Sequence, residues 1–313
     1  MADFRLRHRM LVRGLAMLAL LLAPAVSSAQ SSSTQPLMNW ADLTRAPAPH
    51  PTRQIAYGDD PSQIAELWLP AGPGPHPVVL MVHGGCWQAR IANLHLMSYL
   101  AEDLRRRGIA VWNIEYRGVD QPGGGYPGTF QDVARAADAL RAAAAADNLD
   151  LKHVVAVGHS AGGHLVFWLL ARGKLPASSP LHTADPLPIS AAVSLGGLPD
   201  LAEDRGMAGD AGCGVRPVDG MTGAATGRQG DVYADTSPAA LLPLGARQLM
   251  IQGELDPVSP PFVAADYVAK ARARGEKVRA IVIPASGHVE LIAPRSAAWA
   301  REVAEIQALL RGG

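Results

Sequence analysis

The sequence predicts an α/β protein: a mostly parallel central sheet, helices on both faces, and one inserted loop. Three observations predict it. From about residue 54, apolar runs of strand length alternate with helical stretches of ten or more residues, the signature of successive βαβ units. Several of those runs are continuous, as in strands buried on both faces. Charged residues are only 18% of the 313 and hydrophobic ones 48%, enough apolar surface for a large core. Basic and acidic side chains number 28 each, so no cationic surplus suits a nucleic-acid partner. Two cysteines cannot make a disulfide scaffold.

The chain opens on an address. Arg5, Arg7, Arg9 and Arg13 precede the apolar run Leu15 to Ala23, and Ser27-Ser28-Ala29 supplies small residues for cleavage after Ala29. Residues 1–29 therefore read as a Sec-type signal peptide, and the mature protein is expected in the periplasm or secreted. The run is shorter than the roughly 20 residues of a membrane span, so no span is expected in the mature chain. Residues 30–53, rich in Ser, Thr, Pro and Gln, read as a flexible leader. Residues 54–313 are expected to form one folded domain.

Within that domain, Gln54 to Tyr57 and Ile64 to Leu69 read as short early strands. Val78 to Val82 is a strand apolar throughout, and Asn93 to Arg107 a helix closed by Gly108. Ile109 to Ile114 is a strand, Thr129 to Ala145 an Ala-rich helix with Asp132 in its first turn, and Val154 to Val157 a strand followed at once by a helix over Ala161 to Ala171. Three further strands, Ala191 to Leu195, Leu249 to Gln252 and Val278 to Ile283, are joined and followed by helices over Pro260 to Arg274 and Ser296 to Leu310. Residues 200–237 break the rhythm: Gly and Ala are frequent and no period is evident. That stretch reads as an insertion, either a lid or a surface loop.

Ligands of such sheets sit at the carboxyl ends of the strands. Gly158-His159-Ser160-Ala161-Gly162 stands where a strand ends and a helix begins, the setting of a nucleophile elbow. Ser160 is the candidate nucleophile. His83-Gly84-Gly85-Cys86-Trp87 follows an earlier strand, and its bare glycines leave N–H groups free to face an oxyanion. Each such donor is worth about 2.7–4 kcal/mol in acyl transfer. Gly84, Gly85, Cys86 and Ala161 are the candidate oxyanion residues, with Trp87 beside the substrate and His83 bracing the loop. Only His164, His182 and His288 follow Ser160 in the chain. His288, just past the last strand, is the best-placed base. Asp256, three residues beyond Gly253 at the end of the preceding strand, is the candidate acid, with Glu254 and Glu290 as alternatives.

With these residues in view, the chain resembles serine esterases of the α/β-hydrolase superfamily, and more closely the BD-FAE and kynurenine-formamidase-like group of HGG esterases. The resemblance rests on His83-Gly84-Gly85-Cys86-Trp87, on Glu115-Tyr116-Arg117 through Val133, on Gly158 through Leu165, and on the Asp256 and Gly287-His288 segments. It implies an α/β-hydrolase fold and hydrolysis of small-acyl or aryl carboxylic esters through an acyl-enzyme on a Ser-Asp-His triad. The other readings are an arylformamidase or amidase, a prolyl-oligopeptidase-type serine peptidase, and a non-catalytic binding protein on the same fold. The expected partner is a small-molecule ester. No cofactor is expected, and no metal, since no H-E-x-x-H or clustered cysteines occur. Oligomeric state is not legible. In an exported protein Cys86 and Cys213 could pair, tying the oxyanion loop to the insertion; spacing leaves this open.

Overall fold

The computed structural model describes residues 36–312; the signal segment and the first part of the leader lie outside the described residues. Eight strands form one sheet: β1 (Arg53–Ala56), β2 (Ile64–Trp68), β3 (His76–Val82), β4 (Ala110–Ile114), β5 (Leu149–His159), β6 (Ala191–Leu195), β7 (Arg247–Gly253) and β8 (Val278–Ile283), in the order β1-β2-β4-β3-β5-β6-β7-β8. Strand β2 is antiparallel to both its neighbours, and every pairing from β4 to β8 is parallel. This is the α/β-hydrolase fold, as the sequence predicts.

The central strands are buried on both faces, so their side chains feed two separate cores. Val78, Leu80 and Val82 of β3 point into one core, Val79 and Met81 into the other, the period of two inherent to a pleated strand. Helices α3 (Gly128–Asp147), α4 (Ala161–Ala171) and α7 (Pro261–Ala273) contribute to the first core; α2 (Ser98–Arg106) and α8 (Ala297–Leu310) contribute to the second. Each large apolar side chain so enclosed is worth roughly 1.5–3 kcal/mol. Arg172, wholly buried, bridges α3 and α4 through two bonds to the Asp138 carboxylate, 2.9 and 2.7 Å, and one to Ala134 O.

Four expectations differ from the structure. The helix expected over Asn93 to Arg107 starts as a 3₁₀ turn over Leu94–Met97, where Asn93 caps His95 N and Glu115 takes Leu94 N. Strand β5 begins at Leu149, earlier than its apolar stretch, because His76 and Pro77 of β3 pair with Leu149 and Asp150. The insertion is not structureless: it carries α5 (Leu201–Gly206), capped by Asp200, and α6 (Val215–Thr222). Residues 36–52, expected within a flexible leader, carry α1 (Trp40–Leu43) with a reciprocal Asn39–Asp42 capping box. That arm is bound to the domain by Met38 N donating to Glu290 and the Tyr99 hydroxyl donating to Ala46 O at 2.7 Å. Its Ser/Thr/Pro composition hid these anchors, which lie far away in sequence. Among the described residues no helix is long and apolar enough to cross a membrane.

Candidate active site

Ser160 sits between β5 and α4 at φ 54°, ψ −122°, a conformation costly for any residue with a Cβ. The surroundings impose it by close backbone packing. A Cβ on Gly158 would lie 2.1 Å from Gly162 O, and one on Gly162 would lie 2.2 Å from Val82 O. Ser160 N donates to Leu195 O of β6 at 2.8 Å, which fixes the turn from the other side. The N–H of Ala161, the first residue of the helix, has no intrahelical acceptor and lies at the positive end of the helix dipole. Ala161 is fully buried.

The glycine loop meets the elbow directly. A Cβ on Gly84 would stand 2.9 Å from the Ser160 Cβ and 2.9 Å from His159 O, so only glycine lets this loop approach the nucleophile. Gly85, Cys86 and Trp87 all take positive φ, 100°, 51° and 55°. The loop is braced from below. His83 faces Glu115 Oε1 through Nε2 at 2.7 Å and Gly84 O through Nδ1 at 2.7 Å, and its ring stacks on Tyr116 at 4.3 Å. Glu115 also accepts from Leu94 N and Tyr116 N. Burial alone would raise the Glu115 pKa; the facing His83 ring and the two backbone donors outweigh it and hold the carboxyl below its ordinary value. Cys86 is bonded to Cys213 of the insertion, with Cα atoms 5.3 Å apart, so the pairing that spacing left open is present.

The candidate acid and base leave β7 and β8. Asp256 Oδ2 accepts from His288 Nδ1 at 2.6 Å, while Asp256 Oδ1 takes Val258 N and Ser259 N at 2.8 and 2.9 Å. The carboxylate is thereby fixed, and the imidazole Nε2 is left as the basic nitrogen. Gly196, at the end of β6, floors the pair: a Cβ there would be 3.0 Å from both Asp256 Oδ2 and His288 Nδ1. The alternative acids brace the base loop instead. Glu254 accepts from Ala285 N at 2.9 Å and Glu290 from Gly287 N at 3.0 Å. The other downstream histidines are engaged elsewhere: His164 Nε2 donates to Thr236 O, and His182 Nδ1 meets Leu175 O. Burial lowers the His164 pKa to about 4.

Two site neighbours escaped the sequence reading. His159 Nε2 donates to His288 O at 3.1 Å, and the two rings lie 4.4 Å apart. Burial first, then the nearby His288, hold His159 well below its ordinary pKa, so it stays a neutral spacer joining the nucleophile turn to the base loop. Its signal was its place inside the elbow motif. Trp40, in the supposed leader, lies 6.2 and 6.3 Å from the His159 and His288 rings, near-perpendicular to both. The structure thus brings Ser160 and Gly84 together, pairs Asp256 with His288, and links the two sets through His159. Trp87 is not brought to the site surface: it is fully buried, edge-on to His164 at 5.3 Å, because the positive-φ turn sends the indole inward. Trp168 and Tyr126 likewise serve the insertion, bonding Asp235 O at 2.9 Å and Asp235 Oδ2 at 3.2 Å. No group of residues suited to hold a metal occurs among the described residues.

The sheet order, the strained serine elbow and the Asp–His pair past β7 and β8 define the class as α/β-hydrolase. Residues 66–268 match the BD-FAE family model, and the chain belongs to that family. It is similar to Esterase LipC of Mycobacterium tuberculosis (strain ATCC 25618 / H37Rv), 31% identical over 255 residues, covering 75% of this chain and 59% of that relative. The chain thus spans about three fifths of LipC's length. Among solved structures, a truncated carbohydrate esterase from gut microbiota superposes with TM-score 0.67 at 20% identity, over 86% of this chain and 99% of that one. Esterase B from Lactobacillus Rhamnosis (HN001) does so with TM-score 0.69 at 19% identity, over 84% and 88%.

Proposed function

We propose that the chain is an exported serine hydrolase of carboxylic esters that works through an acyl-enzyme. Ser160 attacks the ester carbonyl as His288 takes its proton. Asp256 holds the imidazole tautomer and stabilises the imidazolium. The oxyanion is received by N–H groups of the Gly84-Gly85-Cys86 loop and of Ala161. His288 then protonates the departing alcohol and activates water to release the acid. The observation that carries this reading is the 2.6 Å Asp256–His288 contact, joined through His159 to a serine held at positive φ. The family membership and the esterase LipC likeness point the same way. Helices α5 and α6 lie in a segment that touches both active-site loops, through Cys213–Cys86 and through Gly212 N to Val258 O at 2.8 Å. This fits a lid more closely than a free surface loop. Residues 1–29 are read as the export signal.

Hydrolysis of p-nitrophenyl acetate by the purified mature protein and by Ser160→Ala tests the reading. The expected drop in kcat is about 10⁶-fold, with loss of covalent labelling by an alkyl phosphonate. Retained esterase activity in Ser160→Ala refutes the nucleophile. Preferential turnover of an aryl formamide or a proline amide moves the reading to an amidase or peptidase. No turnover of any substrate leaves the binding-protein reading.

A further inference from the structure

A cavity of about 840 Å³ lies between the arm around α1 and the segment that follows the oxyanion loop. Its walls include Trp40, Arg45, Gly85, Arg90, Ile91 and Tyr99. Its wall reaches the candidate oxyanion loop at Gly85, and Trp40, also on the wall, lies 6.3 Å from the His288 ring with the two planes near-perpendicular at 88°. Its volume is in the range that encloses a ring-bearing small molecule, far more than an acetyl group needs. Trp40 and Ile91 are large apolar side chains left 48% and 56% exposed, surface that a ligand would cover. The Tyr99 ring is fixed by its hydroxyl bond to Ala46 O. The basic side chains on the wall each face a carboxylate: Arg45 faces Asp42 at 2.7 Å, Arg90 faces Asp120 at 4.0 Å, and the His95 ring faces Glu66 at 3.6 Å. The chamber therefore offers flat apolar faces without net charge to draw an anion.

Resting on the hydrolase reading, we propose that this chamber is the subsite for the alcohol half of the ester, and that it takes an uncharged, ring-bearing alcohol with Trp40 as its specificity determinant. The alcohol half is assigned because Trp40 stands against the base, and the base is the group that hands a proton to the leaving oxygen. Acyl and alcohol groups leave the tetrahedral carbon in different directions, and the insertion joins the oxyanion loop through Cys86, the neighbour of the cavity-lining Gly85.

The test uses two ester series with the mature protein, Trp40→Ala and Trp40→Phe. One keeps the acetyl group and varies the alcohol from methyl to 1-naphthyl; the other keeps p-nitrophenol and varies the acyl chain from acetyl to octanoyl. Trp40→Ala should raise KM for 1-naphthyl acetate about tenfold, the scale of one lost aromatic contact. It should leave kcat/KM for methyl acetate within about twofold, and Trp40→Phe should retain most of the naphthyl preference. An equal loss on methyl and naphthyl esters overturns the proposal, since Trp40 would then act on the base itself. A loss that follows acyl length instead also overturns it. Calorimetric binding of 1-naphthol reads the chamber without turnover. Weaker binding by Trp40→Ala is expected, and unchanged or absent binding overturns the subsite even if esters are cleaved. Binding without cleavage of any ester would instead count against the hydrolase reading alone.

Discussion

The elbow at the end of β5 and the candidate oxyanion loop at the end of β3 lie on neighbouring strands, and both hold non-glycine residues at positive φ: Ser160 in one, Cys86 and Trp87 in the other. They are held by different physics. The elbow is locked by backbone against backbone, with Gly158 pressed on Gly162 and Gly162 on Val82 and His83. The oxyanion loop is locked by side chains from remote segments: Glu115 on β4's exit, Ala92 against Gly85, and Cys213 of the insertion. A steric lock is indifferent to pH and redox state; a lock of carboxylates and a disulfide responds to both.

The sharpest way to break this contrast is a methyl group on each side. Gly162→Ala would place a Cβ 2.2 Å from Val82 O and 2.6 Å from His83 O, two backbone atoms that cannot rotate away. The expected result is loss of soluble folded protein, or destabilisation beyond about 3 kcal/mol by urea titration. Gly84→Ala meets His159 and Ser160 at 2.9 Å, a milder clash; this variant should fold while its kcat falls. Near-native stability in Gly162→Ala would show that the elbow is not sterically locked.

The covalent tie is the next test. Cys86 and Cys213 are 127 positions apart, and on the chain-entropy model closing such a loop stabilises the fold by about 4–5 kcal/mol. A Cys86→Ser/Cys213→Ser protein should lose a large part of that in guanidinium titrations. Its kcat should fall by up to about 100-fold, the scale of one misplaced oxyanion donor, with KM changed less. Wild-type kcat in the double variant would mean that the loop holds its shape through His83 and Glu115 alone.

This contrast also explains what was legible in the sequence. The elbow is made by five consecutive residues between a strand and a helix, so pattern and context sufficed to place Ser160 on the strained turn. The contact between Asp256 and His288 was legible because each follows its strand within a few positions. The oxyanion loop's supports were harder to see. Glu115 entered only within the tract that carries the family resemblance, with no role attached, and the Cys86–Cys213 pair depends on distances that spacing does not contain. Trp87 was placed beside the substrate by its position in the motif, yet the backbone turn buries it. Trp40 was passed over because its neighbours have the composition of a linker, although the Asn39–Asp42 box that starts its helix was a readable signal.

The smallest effect expected is a pH dependence with opposite signs on the two supports of the oxyanion loop. Glu115 is held below its ordinary pKa by the facing His83 ring and two N–H donors that overcome its burial. Its stabilising contribution is present above the unfolded carboxylate value and is lost as pH falls through the depressed folded one. Asp204 on α5 accepts Cys213 N at 2.8 Å through one oxygen, while its other oxygen is buried with no partner. Burial raises its pKa to about 7, outweighing the Cys213 bond. The native state then holds a proton that the unfolded chain has released, so stability falls as pH rises from about 4 to about 7 and levels off above. Asp204→Asn keeps the Cys213 contact without the titration. The unfolding free energy of the wild type, from urea titration, should decline between pH 5 and pH 8 relative to that of Asp204→Asn, with a gap at pH 8 on the order of 1–3 kcal/mol. Glu115→Gln should instead flatten the loss on the acid side, below pH 5. Parallel pH profiles for the wild type and Asp204→Asn would mean that α5 and its disulfide carry no charge-sensitive link to the loop, leaving the covalent bond as the insertion's whole contribution.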